Sequence, residues 1–117
     1  MLKFEFYILA LVLFFIFGYG ISVSGQQTQT LIIITPGASE PGANSPFFPT
    51  SISLPVGSTV NWTNKDHLTH TVTSFTNSFD SGLLSPDQSY TETFYRPGYY
   101  NYYCSIHPYM NGEINIG

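Results

Sequence analysis

Ser89-Tyr90-Thr91-Glu92-Thr93-Phe94-Tyr95-Arg96-Pro97-Gly98-Tyr99-Tyr100-Asn101-Tyr102-Tyr103-Cys104 is the stretch whose reading decides the fold. Its first seven residues alternate, Arg96-Pro97-Gly98 is turn chemistry, and the second run is crowded with tyrosine. Period-two patterning in aromatic and β-branched residues predicts half-buried strands on both sides of the turn. Alternation also sets Tyr100 and Tyr102 in phase with Cys104, with Tyr99 and Tyr103 on the opposite face.

The same grammar extends upstream. Leu31-Ile32-Ile33-Ile34-Thr35 is a β-branched run stopped by Pro36-Gly37, as a buried strand would be, and the proline-rich stretch 38–49 is a loop. Thr50 to Leu54 and Ser58 to Thr63 alternate on either side of a Pro55-Val56-Gly57 turn. After the polar turn Asn64-Lys65-Asp66-His67-Leu68, the run Thr69 to Phe75 reads as a strand with His70, Val72 and Ser74 on one face. Residues 79–88 form a loop, with turn signals at Ser81-Gly82 and Ser85-Pro86, and Gly112 to Ile116 is a last strand. About seven or eight short strands with regular turn spacing predict an all-β fold, an antiparallel Greek-key β-sandwich.

The N-terminus follows other rules. Lys3 precedes an apolar run from Phe6 to Phe17, and Ser22-Val23-Ser24 supplies small residues of the kind a signal peptidase accepts. Phe6 to Val23 is also long enough for a bilayer span of about 17–25 residues. Residues 1–25 are therefore expected to be a cleaved signal peptide or a retained membrane anchor helix. Residues 26–30 form a spacer and residues 31–117 the folded domain. Either reading puts that domain outside the cytoplasm.

Composition narrows the function. The chain has 117 residues, 17% aromatic and 9% charged, which is globular rather than disordered. Net charge is −4 and the basic residues are Lys3, Lys65 and Arg96, so no basic stripe exists to neutralise a phosphate backbone; nucleic acid is excluded as a partner. Cys104 is the single cysteine, so no internal disulfide forms, and an exported lone thiol needs either burial or a metal.

Cys104-Ser105-Ile106-His107-Pro108-Tyr109-Met110 carries the chemistry. Thiolate, imidazole and thioether recur at three-residue intervals in one short loop. Taken singly, a lone buried Cys is an inert small hydrophobe and a lone Met is core filler. Jointly they form a donor set that suits copper, because Cu(I) favours soft sulfur, Cu(II) accepts imidazole, and two His, one Cys and a weak axial Met serve both states. The second His comes from His67 or His70, and His70, beside apolar neighbours on a strand, is the candidate; His67 lies in the polar turn. Zinc gains little from a thioether. A Cys–His nucleophile lacks both an evident orienting residue and a cleft, so an enzyme is not expected.

These residues, with His70-Thr-Val-Thr, Val60-Asn61-Trp62-Thr63-Asn64, Phe79-Asp80-Ser81-Gly82 and Phe94-Tyr95-Arg96-Pro97-Gly98, resemble the cupredoxin family of type 1 blue-copper proteins. The short ligand loop is similar to that of amicyanin and of plastocyanin-like proteins of archaea. The resemblance implies one copper held by His70, Cys104, His107 and Met110, cycling between Cu(I) and Cu(II). It implies a monomer that shuttles electrons between redox proteins acting as donor and acceptor, through a patch at the loop His for which Pro108 and Tyr109 are candidates, with Leu83 or Leu84 as neighbours. A copper-delivery module is the alternative. Many relatives place Asn directly after the first His to brace the Cys loop; here Thr71 stands there. The tyrosines flanking Cys104 read more simply as packing than as an electron relay.

Overall fold

Most strands form where the patterned stretches predict them, but Phe47–Phe48 is a strand inside the stretch expected as loop, and the first strand begins at Gln29, inside the expected spacer. In the computed structural model, which describes residues 28–117, the strands are β1 (Gln29–Ile34), β2 (Phe47–Phe48), β3 (Ser51–Leu54), β4 (Thr59–Asn64), β5 (Thr73–Ser74), β6 (Ser89–Thr93), β7 (Gly98–Tyr103) and β8 (Asn111–Ile116). The signal or anchor segment expected at the N-terminus lies outside the described residues. No helix occurs among those described.

Two four-stranded sheets face each other, ordered β2-β1-β4-β6 and β3-β8-β7-β5. The expectation of a purely antiparallel sandwich is corrected: β1 runs parallel to β4, and β3 parallel to β8. From β2 to β7 successive strands alternate between the sheets. Strands separated by a single crossing still pair antiparallel, β4 with β6 and β5 with β7, whereas the parallel partners β1 and β4, and β3 and β8, are joined through at least two intervening strands, as a parallel pair requires a crossover and not a hairpin. Turn residues in the sequence report local reversals only, so they hide this.

Inward-facing residues of both sheets make one core. Ile32, Ile34, Val60, Trp62, Ile114 and Ile116 are buried at alternate positions of β1, β4 and β8. Trp62 sits at the centre, its ring 5.4 Å from Tyr102, 5.8 Å from Phe79 and 5.8 Å from Tyr90. Truncating such a side chain to Ala costs about 3–5 kcal/mol. Along β7 and into the residue after it, Tyr102 and Cys104 are buried and Tyr100 half-buried, while Tyr99 is exposed, as their phase requires.

The run containing His70 is strand-like over only two residues, β5. β5 pairs with β7, but His70 itself lies against the 79–84 loop rather than a strand. His70 and Leu84 exchange both backbone hydrogen bonds (3.1 and 2.8 Å), and the Ser81 hydroxyl takes over the Val72 N–H at 2.8 Å. Gly82, at φ 67°, breaks the ladder there. His70 is thus pinned at backbone level on a segment where both faces are covered, since Thr71 and Thr73 are buried too.

Candidate metal centre

Pairing of β7 with β8 runs up to Tyr103 opposite Asn111, so residues 104–110 form the connection between two zipped strands. The Cys104 N–H donates to the Met110 carbonyl at 3.1 Å and the Met110 N–H to the His107 carbonyl at 2.9 Å, closing the loop on itself. Pro108 fixes one more dihedral inside it. Three candidate ligands therefore hang from a loop with little freedom.

His70 arrives from the other side. The Cys104 sulfur lies 3.6 Å from His70 Nδ1 and 3.8 Å from His107 Nδ1. Ligand atoms of all three residues lie within 4.8 Å of one another. Two donors on one first-row ion, with bonds to sulfur of about 2.3 Å and to nitrogen of about 2.0–2.1 Å, stand about 3.5–3.8 Å apart. Spacing and donor chemistry both fit a single soft-to-borderline metal ion. Met110 is buried beside them in the core. Of the four, His70, Cys104 and Met110 are buried and His107 is half-buried.

Hydrogen bonds brace this arrangement. The Thr71 N–H points at the Cys104 sulfur at 3.4 Å. The Thr71 hydroxyl accepts the Ser105 N–H at 2.8 Å and contacts the hydroxyls of Ser105 (3.1 Å) and Thr73 (2.9 Å). Thr71 therefore ties the His70 segment to the Cys104 loop, the task that Asn performs in the relatives the sequence resembles. On the far side of His70, Nε2 meets Asp66 Oδ2 at 2.7 Å, with both side chains fully buried.

The charges follow from these contacts. Burial pushes the Cys104 thiol up, but the hydrogen bonds from His70, the Thr71 and His107 N–H groups and the His107 side chain outweigh it, and the thiol falls from 9.0 to about 6. Burial opposes a charge on His70, yet its bonds to Cys104 and Asp66 lift it above 6.5. Burial also acts against the Asp66 carboxylate. The hydrogen bonds from His70, Gly37 and His67 prevail and hold it at about 2. The site keeps a thiolate ready, as metal binding requires.

His67, with its side chain 82% exposed, stays at the surface, as its polar turn predicts. Pro108 and Tyr109 are exposed beside His107, with the Tyr109 ring 6.0 Å from the imidazole. The two leucines separate: Leu83 is 69% exposed and Leu84 is 4% exposed and part of the core. Asp66 and Ser105 escaped the sequence reading. A buried imidazole whose one nitrogen serves a metal needs an acceptor at the other, and a carboxylate four residues away was the available signal.

An all-β sandwich that brings one thiolate and two imidazoles to a single point at its end defines a class, the β-sandwich copper proteins. The chain belongs to the copper-binding proteins of the plastocyanin/azurin family, whose model matches residues 38–117. Copper is the metal of that family. The chain is 33% identical over 75 residues to amicyanin-alpha of Methylorubrum extorquens, covering 56% of this chain and 59% of that one. It is 30% identical over 70 residues to the amicyanin of Paracoccus versutus, covering 56% and 53%. It thus spans little more than half the length of the curated relatives it matches. A solved purple cupredoxin from Nitrosopumilus maritimus superposes with a TM-score of 0.71 at 32% identity, over 76% of this chain and 100% of that one.

Proposed function

We propose that this chain is a type 1 blue-copper electron carrier, not an enzyme, in which His70, Cys104, His107 and Met110 hold one copper ion. The observation that carries this reading is the approach of both imidazole Nδ1 atoms to the Cys104 sulfur, at 3.6 and 3.8 Å, inside a hydrogen-bonded frame. Copper, when bound, supplies a one-electron Cu(I)/Cu(II) couple. The chain supplies the rest. The His70 segment and the hydrogen-bonded 104–110 loop hold the donors so that neither oxidation state rearranges them, and low rearrangement is what permits fast exchange.

His70, Cys104 and Met110 are sealed from water, leaving the half-buried His107 edge as the part of the donor set a partner reaches. Ile106, Pro108 and Tyr109 surround it with exposed, uncharged surface. This patch suits brief docking with redox proteins that act as donor and acceptor. Residues 1–25, as a signal peptide or anchor, would place the carrier, as a monomer, outside the cytoplasm.

Adding Cu(II) to the protein is expected to produce intense visible absorption from thiolate-to-copper charge transfer, and Cys104→Ser to abolish it. A colourless copper-loaded wild type would overturn the assignment.

A further inference from the structure

A neutral imidazole has one lone pair and one N–H, and the partner of one nitrogen decides what the other can do. His70 Nδ1 faces the Cys104 sulfur, and Nε2 lies 2.7 Å from Asp66 Oδ2. Asp66 is itself held on several sides. Its Oδ1 accepts the Gly37 N–H at 3.0 Å, and its own N–H donates to Asn64 Oδ1 at 2.9 Å. Asn64, fully buried at the end of β4, donates in turn to the carbonyls of Leu68 (2.8 Å) and Leu84 (2.9 Å). Leu84 is the residue doubly bonded to the His70 backbone. Asn64, Asp66, His70 and Leu84 thus close a ring of hydrogen bonds around one imidazole. The exposed His67 imidazole touches the same carboxylate at 3.1 Å but lies outside that ring.

We propose that Asp66 is a positioning residue of the copper site: its carboxylate accepts the His70 Nε2–H, fixes the tautomer and ring plane that aim Nδ1 at the metal, and strengthens that nitrogen as a donor to the oxidised ion. This rests on the copper reading above. An anionic acceptor makes the ring more electron-rich, and Cu(II) gains more from that than Cu(I). Asp66 therefore favours the oxidised form. Its link to Gly37 also ties His70 to the loop after β1, the loop whose Ser39 carbonyl receives the Tyr109 hydroxyl from the other ligand segment.

Asp66→Asn tests this with almost no change in shape. An amide has one acceptor where the carboxylate has two, so it cannot satisfy both Gly37 N–H and His70 Nε2–H. If its NH₂ turns toward His70, the imidazole must carry its proton on Nδ1, where it blocks the lone pair facing Cys104. The expected result, in the copper-loaded full chain, is retained but altered colour and Cu(II) affinity lowered 10- to 100-fold. Cu(I) affinity should fall less. Each tenfold excess loss for Cu(II) corresponds to a rise of about 59 mV in reduction potential.

A clasp of purely structural value would lower unfolding midpoints of metal-free and loaded protein alike and leave the potential where it was; that outcome sinks the proposal. If the variant does not fold, nitrogen-edited NMR of the metal-free wild type still decides. A slowly exchanging Nε2–H on His70 supports the assignment, and a ring protonated on Nδ1 alone overturns it. Absence of charge-transfer colour in the wild type would instead count against the copper reading itself, so the two failures are distinct.

Discussion

Thr71 shows how much a single side chain decides at this site. Its N–H is aimed at sulfur and its hydroxyl takes the Ser105 N–H, so one residue spans 34 positions of sequence. Thr71→Val keeps the shape and the N–H but removes the acceptor, leaving a part-buried Ser105 donor without its partner. The expected cost is about 1–3 kcal/mol in denaturant unfolding of the metal-free protein. Thr71→Ser, which retains the hydroxyl, should recover most of it. Equal stability of the Val and Ser variants would mean that the hydroxyl bridge carries no weight. The departure from the Asn of relatives thus leaves the brace in place with a shorter arm.

At the scale of elements, β7 and β8 are matched by one glycine. Gly112 stands opposite Tyr102 in the antiparallel register, and a Cβ there would fall on the Tyr102 ring. Backbone angles do not demand glycine at this position; the aromatic ring does. Gly112→Ala is therefore expected to destabilise by about 1–3 kcal/mol through overpacking, read as a lower thermal midpoint. Because Gly112 lies two residues past Met110, the displaced strand should also weaken copper binding. An unchanged midpoint would show that Tyr102 has room to move. The pairing explains why four tyrosines crowd β7: Tyr102 fills the centre against Trp62 and Phe47, and Tyr103 stacks on Phe75 at 4.7 Å outside. Packing accounts for them without a relay.

For the molecule as a whole, the loops at the metal end are fastened to each other through charge. Asp66 joins the end of β4, the loop after β1 and His70. Its carboxyl sits at about 2 in the folded protein against an ordinary 3.8. A depressed acid contributes stability that is complete above 3.8 and fades as pH falls toward 2, because the folded state resists taking the proton. That difference is worth roughly 2 kcal/mol. His70 is lifted above its ordinary value, so it is protonated in both states across this acid window and adds no slope there. Metal-free protein should accordingly lose stability between pH 4 and 2, measured by denaturant titration at each pH, and Asp66→Asn should flatten that limb. A limb of equal steepness in the variant would assign the acid sensitivity elsewhere.

Most of the strand content, the burial phase of β4 and β7, and the candidate donors Cys104, His107 and Met110 were legible in the amino-acid sequence. Each is a short-range property: alternation repeats every two residues, and the three donors share one seven-residue loop. His70 could be preferred over His67 because its neighbours are apolar, again a local cue. What only the tertiary structure decided is how distant segments meet. The parallel pairing of β1 with β4, the replacement of a strand partner for His70 by the 79–84 loop, the Thr71–Ser105 bridge and the Gly37–Asp66 clasp depend on segments meeting across the sandwich. Periodicity tells a residue which face it lies on, and only the packed sandwich determines which residues it faces.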